Sequence, residues 1–350
     1  MPRFGWRDLE ALGTEVFARL GAPSEEAAWV ARLLVRSNLQ GHDSHGVLRI
    51  PQYVRAIRAG QIRPGEPPGV EETGPATLRV DGRLGFGQVV ARRAMDLAVE
   101  RARRHGVAAV AVRRANHVGR LADYAEQAAE AGVVGVVFAN DSGALQNVAP
   151  HGAVEGRLST NPLAVGIPRR RAPHLVVDVS TSVVAAGKLR AALAAGERAP
   201  AGWVQDAAGN PSTDPGVPWA RPPGTLLPMA GHKGYALALV VEVLAGVLSG
   251  AGFARPDPGP DYQGVFLWTL DVARFLPPDR FLADVEALLA HVKSARPRPD
   301  VPEVLVPGEG SSRAMARRRA EGIPLAEATW VRIRRICDDL GLAPPTPLPG

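Results

Sequence analysis

Several absences narrow the possibilities before any motif is read. The 350 residues contain one cysteine, Cys337. That excludes an internal disulfide framework and a multi-cysteine metal cluster, and it leaves a reducing compartment as the expectation. The first residues hold no apolar run that could serve as a signal peptide. The longest apolar tract, Tyr235 to Leu248, is interrupted by Glu242 and is too short to span a bilayer. A soluble cytoplasmic protein with no membrane partner is expected. The dinucleotide fingerprint G-x-G-x-x-G is missing. Gly85-x-Gly87 reaches Val90 where the third glycine belongs, Gly250-x-Gly252 reaches Arg255, and Gly308-x-Gly310 reaches Arg313. No P-loop, His-Glu-x-x-His zinc motif or Gly-x-Ser-x-Gly elbow is found either. No metal site is expected, and a nicotinamide cofactor would need a cradle other than the usual glycine loop.

Lysine is nearly absent. Of 41 Lys and Arg residues only three are lysines, at 188, 233 and 293, so these positions point to a need for a compact ammonium. The net charge of +6 raises the question of nucleic acid. The basic residues are interspersed with Asp and Glu, and the triplets Arg169-Arg170-Arg171 and Arg317-Arg318-Arg319 are short. No nucleic-acid partner is expected. A mild positive field suits a small anion instead.

The densest chemistry lies in Gly41-His42-Asp43-Ser44-His45-Gly46-Val47-Leu48-Arg49-Ile50-Pro51-Gln52-Tyr53. An imidazole can pass a proton, a hydroxyl can hydrogen-bond an oxygen, and a guanidinium can clamp a carboxylate in two places. If Ser44 caps a helix, His45, Arg49 and Tyr53 share one face, although Pro51 argues against a straight one. A capped surface helix with solvated side chains is the competing reading.

Helical spacing begins at Ser24 and continues to Leu39, so the first sixty or so residues read as a helical layer ending at the Pro/Gly-rich Arg63 to Pro68. Ala76 to Val80 reads as a strand, Val89 to His105 as a helix closed by Gly106, Val107 to Val112 as a buried strand, Leu121 to Ala131 as a helix and Val133 to Phe138 as a strand. That is a strand-helix-strand unit with parallel strands, and His117 lies where the first strand hands over to the helix. Asn116 as a helix cap, with His117 a bystander, is the alternative. Leu158 to Ala164 and His174 to Ser182 read as strands emptying into small polar groups, Val183 to Ala195 as a helix, and Trp203 to Gly224 as a long loop able to act as a mobile cover. Gly231-His232-Lys233-Gly234 precedes an apolar helix from Tyr235 to Leu248. Gly264 to Leu270 reads as a strand, and helices follow at Pro278 to Lys293, Ser312 to Glu321 and around Glu327 to Leu340.

Taken in order, Asp43-Ser44-His45-Gly46 with Arg49 and Tyr53, Asn116-His117-x-Gly119, Thr160-Asn161-Pro162-Leu163-Ala164, Asp178-x-Ser180-x-Ser182, Gly231-x-Lys233-Gly234 and Pro307-Gly308-Glu309 span nearly the whole chain. Together they resemble the malate/L-lactate dehydrogenase family, which is distinct from the Rossmann-fold lactate and malate dehydrogenases. It also holds sulfolactate, ureidoglycolate, diketogulonate and Δ1-piperideine-2-carboxylate oxidoreductases. The resemblance implies a non-Rossmann α/β fold with a mixed sheet and helices, plus a helical domain formed by both chain ends. It divides the chain into residues 1–70, a catalytic and cofactor-binding region at 71–300, and 301–350 packing back on the first part. It further implies a homodimer that uses NAD or NADP to interconvert a small anionic 2-oxo acid and its 2-hydroxy acid.

Residue by residue, the resemblance makes His45 or His117 the proton donor, with Ser44 and Asp178 orienting or relaying and Arg49 holding the substrate carboxylate. Asn140, Thr160, Asn161, Asp178, Ser180, Lys233, Gly308 and Glu309 resemble the family's cofactor contacts. His232 and the composition of 203–224 depart from the family pattern, which leaves the substrate range open. Reduction of a cyclic imine carboxylate would use the same acid, clamp and hydride. A catalytically silent binding protein is the non-enzyme alternative.

Overall fold

The computed structural model describes residues 1–349. β1 (Arg3–Phe4) leads into α1 (Trp6–Arg19) and α2 (Ser24–Leu39); two single 3-10 turns, Asp43–His45 and Val47–Arg49, precede α3 (Ile50–Arg58). The hairpin β2 (Gly69–Gly74) and β3 (Thr77–Asp81) follows. Next come α4 (Gly87–His105), β4 (Val107–Ala115), α5 (Ala122–Glu130), β5 (Val133–Asn140), β6 (Leu163–Ile167), β7 (Leu175–Val179) and α6 (Ala186–Ala195). A small lobe of β8 (Val204–Gln205), β9 (Pro211–Ser212) and β10 (Thr225–Leu226) gives way to α7 (His232–Val241), which continues as a π-helical stretch, Glu242–Leu248. The chain ends with β11 (Gln263–Asp271), α8 (Pro278–Lys293), α9 (Glu309–Glu321), β12 (Ile323–Pro324) and α10 (Glu327–Leu340).

Seven strands form the main sheet in the order β2-β3-β4-β11-β5-β6-β7, and only the β3–β4 pair is parallel. The strands flanking α5 do run in the same direction, as their βαβ pattern predicts, but they do not touch. β11 inserts between them, antiparallel to both. Helices α4 and α5 cover one face through alanines, Ala91, Ala94, Ala98, Ala125 and Ala128, against Val110, Val112, Val137 and Leu267. These small side chains let helix and sheet approach closely. A Cβ on Gly166 would strike the backbone of Ala125.

The two chain ends share a second core. Phe4, Phe17, Leu34, Ile50 and Tyr53 pack with Ile323, Trp330, Ile333 and Cys337. β1 pairs with β12, and the Leu348 amide donates to Arg3 O at 2.7 Å. Truncating a fully buried side chain here, such as Phe17, costs about 3–5 kcal/mol.

Four local expectations are corrected. Ser44 caps nothing, because it sits inside the first 3-10 turn, and the helix it was expected to open starts only at Ile50, with Pro51 in its first turn where a missing N–H costs nothing. Leu158 forms an isolated bridge with Val148, and strand β6 begins after Thr160-Asn161-Pro162, so that motif leads into the strand. Asn116 is not a helix cap, since its amide donates to three backbone carbonyls, Gln61 O, Leu84 O and Gly85 O, at 3.0, 2.9 and 3.1 Å. The segment expected as a long loop carries β8, β9 and the 3-10 turn Val217–Trp219, and with β10 it forms a small antiparallel sheet whose Val204 and Leu226 pack with Val148, Leu158, Leu189 and Ala238. Its short strands, two residues each, leave no periodicity for sequence to reveal.

Candidate active site

Helix α2 ends at Leu39, and the chain turns back at Gly41, where φ is 84°. The following loop winds around the Asn38 side chain, whose Nδ2 donates to Asp43 Oδ1 at 2.6 Å and whose Oδ1 accepts from the Val47 amide at 2.8 Å. Asn38 fills the space a Cβ at position 46 would occupy, so Gly46 is sterically required. This winding presents Ser44, His45 and Arg49 to a cavity of about 480 Å³.

Ser44 Oγ lies 3.0 Å from His45 Nδ1. The His45 ring stacks on His117, with centroids 5.5 Å apart. Behind His117 a buried chain runs outward, in which Gln88 Nε2 donates to Tyr53 Oη at 2.6 Å and Tyr53 Oη lies 2.7 Å from His117 Nδ1. Tyr53 accepts from Gln88, so its own proton is available to His117 Nδ1; in that arrangement neutral His117 carries its proton on Nε2. Arg49 donates from Nε to Ser44 O at 2.8 Å and from Nη1 to Gln52 Oε1 at 2.7 Å. Two donors fix its direction, and the rest of the fork remains for a carboxylate.

Among the described residues no carboxylate hydrogen-bonds either imidazole. Burial, reinforced by Arg49, drives His45 down to about 3 and holds His117 well below the ordinary value. Burial likewise pushes Tyr53 up to about 12, so its hydroxyl stays protonated. Arg120, which sequence reasoning passed over, adds to the positive field on His45. It is 4% exposed and donates to Asp123 Oδ1 at 2.7 Å and Glu126 Oε2 at 3.3 Å.

The opposite wall differs. Asn140, Asp141, Asn147, Thr160 and Asn161 line the same cavity. Asn140 Oδ1, both Asp141 oxygens, Asn147 Oδ1 and Asn161 Oδ1 are buried without a hydrogen-bond partner. Burial pushes Asp141 up to about 7; Ser159 and the Gly143 amide face it and oppose the shift without reaching hydrogen-bond geometry. Asn161 is held from behind, its Nδ2 donating to Ala238 O at 3.1 Å and to Glu242 Oε2 at 2.7 Å. Glu242 is the acid that interrupts the apolar tract, and a lone charge in such a run was the available signal.

The remaining expected residues stand outside the cavity lining. Asp178 Oδ2 accepts from the Ala122 amide at 3.0 Å, at the start of α5, and burial, opposed by Arg120, pushes it up to about 6. Ser180 donates to Ser182 O at 2.8 Å. Thr181 joins this strand end to Thr160 O at 2.9 Å and accepts from the Met229 amide at 2.8 Å, so the 158–162 segment, the end of β7 and the turn before α7 meet. Lys233 is exposed in the first turn of that helix. Gly308 packs beside His174 O and Val176 N, at the other end of β7, about 13 Å away by strand rise. The Glu309 carboxylate is held by Lys293 Nζ at 2.6 Å and by the Val306 amide at 3.2 Å. Arg169 is paired with Glu286, at 3.1 and 3.0 Å.

The sequence pattern described as malate/L-lactate dehydrogenase matches residues 4–334. An L-sulfolactate dehydrogenase of Methanothermobacter thermautotrophicus is 39% identical over 334 residues, 94% of each chain. A malate dehydrogenase structure from Pyrococcus horikoshii superposes with a TM-score of 0.88 at 30% identity, covering 98% of this chain and 96% of that one. A Δ1-piperideine-2-carboxylate reductase structure from Pseudomonas syringae gives 0.81 at 30% identity, over 96% and 100%.

Proposed function

The chain belongs to the malate/L-lactate dehydrogenase family, and on that premise we propose that it is an NAD- or NADP-dependent oxidoreductase interconverting a small anionic 2-oxo acid and its 2-hydroxy acid. The observation that carries this reading is one cavity that gathers the proton-handling and cationic groups Ser44, His45, Arg49 and His117 with the polar residues Asn140, Asp141, Asn147, Thr160 and Asn161. A nicotinamide riboside is rich in amide and hydroxyl groups, so a polar lining of this kind suits it. The cofactor, when bound, supplies or receives the hydride.

Arg49 holds the substrate carboxylate and so places the reacting carbon between the two walls. The two histidines divide the remaining work according to what protonation costs each. A second proton on His117 would enter at Nδ1 and strand the Tyr53 hydroxyl proton in a buried site, at about 1–3 kcal/mol. A second proton on His45 requires only that the Ser44 hydroxyl rotate, because Ser44 lines the open cavity. His45 is therefore the proton carrier, and His117 donates a hydrogen bond from Nε2 to the substrate oxygen. Both imidazoles are neutral in the free site, which suits proton abstraction from a hydroxy acid; in the reducing direction, the substrate's negative charge raises the proton affinity of His45.

The apolar side chains Leu237, Val240, Val243, Val247 and Leu248 are exposed along α7 and its π-helical extension. An uncovered apolar stripe of this length supports a homodimer. The single, buried Cys337 suits a cytoplasmic setting, and no helix among the described residues is long and apolar enough to cross a membrane.

The test is loss of reduced-nicotinamide absorbance with NADH and NADPH in parallel, against pyruvate, oxaloacetate, longer 2-oxo acids and piperideine-2-carboxylate. Turnover of an open-chain 2-oxo acid is expected. Turnover of the cyclic imine alone would replace the substrate class, and silence in a folded protein that binds neither cofactor would remove the reading.

A further inference from the structure

Within its own segment the loop that carries Ser44 and His45 is held by the Asn38 side chain and by Arg49 Nε. Its two 3-10 turns have no side-chain caps, and its residues from His42 to His45 are only part-buried. Further support comes from α9, more than 260 residues later in the chain. Ser311 Oγ lies 3.4 Å from His42 Nε2, the Ala314 methyl lies 3.7 Å from where a Cβ on Gly41 would stand, and Arg318 reaches Asp43. Positions 311, 314 and 318 follow helical spacing, so one face of α9 tracks the loop.

Arg318 makes the strongest of these contacts. Nη1 donates to Asp43 Oδ1 at 2.6 Å and Nη2 to Asp43 Oδ2 at 2.9 Å, and Nη1 also donates to Asn38 O. Asn38 in turn binds Asp43 and the Val47 amide. The guanidinium thus closes a ring around the turn that precedes Ser44 and His45. Its side chain is 15% exposed against 46% for that of Asp43, so solvent reaches the pair from the Asp43 side and the two-bond geometry is what sets it apart from a plain surface ion pair. A lysine could supply the charge but not the two parallel bonds. The neighbouring arginines differ. Arg319 lies over the Trp6 ring, and Arg317 is exposed and makes no hydrogen bond or salt bridge among the described residues.

We propose that Arg318 is a positioning residue for the reaction, seating the Ser44–His45 pair by clamping Asp43 from the C-terminal helix. The proposal rests on the reading of His45 as proton carrier. It gives the middle of the second arginine triplet a role that requires no nucleic acid.

The full-length protein with Arg318→Lys, Arg318→Ala or the control Arg317→Ala is compared with wild type by turnover, by backbone amide exchange over residues 41–49 and by melting temperature. Both Arg318 variants should lose about tenfold or more in kcat with a smaller change in KM, since sub-ångström misplacement of a proton carrier acts on the chemical step. Exchange over 41–49 should rise several-fold while the sheet is unchanged. Millimolar guanidinium should restore part of the kcat of Arg318→Ala. Arg317→Ala should match wild type throughout. Should Arg318→Ala fail to fold, Arg318→Lys carries the comparison. Unchanged exchange over 41–49, or raised exchange with wild-type kcat, overturns the proposal. A wild-type protein inert toward every acid would instead defeat the functional reading, and the exchange data would still decide whether Arg318 holds the loop.

Discussion

Around His45 and His117 one nitrogen of each ring is held by a protein hydroxyl, whereas elsewhere in the cavity lining acceptor oxygens of Asn140, Asp141, Asn147 and Asn161 are buried without a protein partner. The first wall is fixed at one nitrogen of each ring and keeps part of the Arg49 fork for a ligand, while the unpaired oxygens of the second are sealed from solvent. Burial acts on both sides with opposite sign: it lowers the histidines, reinforced by Arg49, and raises Asp141. The wall to which we assign the chemistry is thus held by protein contacts, and the wall to which we assign the cofactor is built of buried polar side chains.

Breaking the first wall should have the largest effect. His45→Asn removes the proton carrier and should lower kcat by about 100-fold or more, whereas His117→Asn removes a hydrogen-bond donor and should cost less. Steady-state rates in both variants check the order, and a larger loss at His117 would reverse the assignment. Breaking the second wall should act on binding. Asp141→Leu, which removes both acceptor oxygens at similar size, should weaken reduced-cofactor binding by about tenfold, read by nicotinamide fluorescence, with little change in inhibition by simple carboxylates.

The smallest effect sharpens the electrostatic difference. His42 and His45 are held at about 4 and about 3 against an ordinary 6.5, so the folded state resists their protonation. Their contribution to stability is fully present above pH 6.5 and is lost as pH falls through those lower values. Asp141 and Asp178, raised to about 7 and about 6, act with the opposite sign: their contribution is present below the ordinary 3.8 and is lost as pH rises through the raised values. The difference between proteins therefore isolates one group. Between pH 6.5 and about 4 the melting temperature of His45→Gln should climb less steeply with pH than that of wild type. Parallel curves would show that His45 titrates normally.

Sequence periodicity found the long elements, because α2, α4 and α10 each bury one face and the last two end at glycines, Gly106 and Gly341. It found the first wall because His, Ser and Arg are chemically conspicuous. It missed what holds them. Asn38, Gln88, Arg120 and Arg318 act through contacts up to 280 residues apart, and nothing in their neighbours along the chain marks them. Asp141 was passed over because Asn140-Asp141-Ser142-Gly143 has the composition of an ordinary turn; only burial without a partner distinguishes it. The antiparallel insertion of β11 was equally hidden, since an apolar strand carries no record of which neighbours it will pair with.

That insertion has a consequence for how the protein is made. β4 and β5 emerge from the ribosome more than a hundred residues before β11, and each pairs with it along nearly its whole length. During synthesis of the intervening chain, two apolar strand edges wait side by side with an empty slot between them, a template open to any other extended segment. The slow, non-local step of folding is the filling of that slot. Nascent chains stalled before residue 263 should therefore be the species that chaperones protect, and that aggregates when they do not.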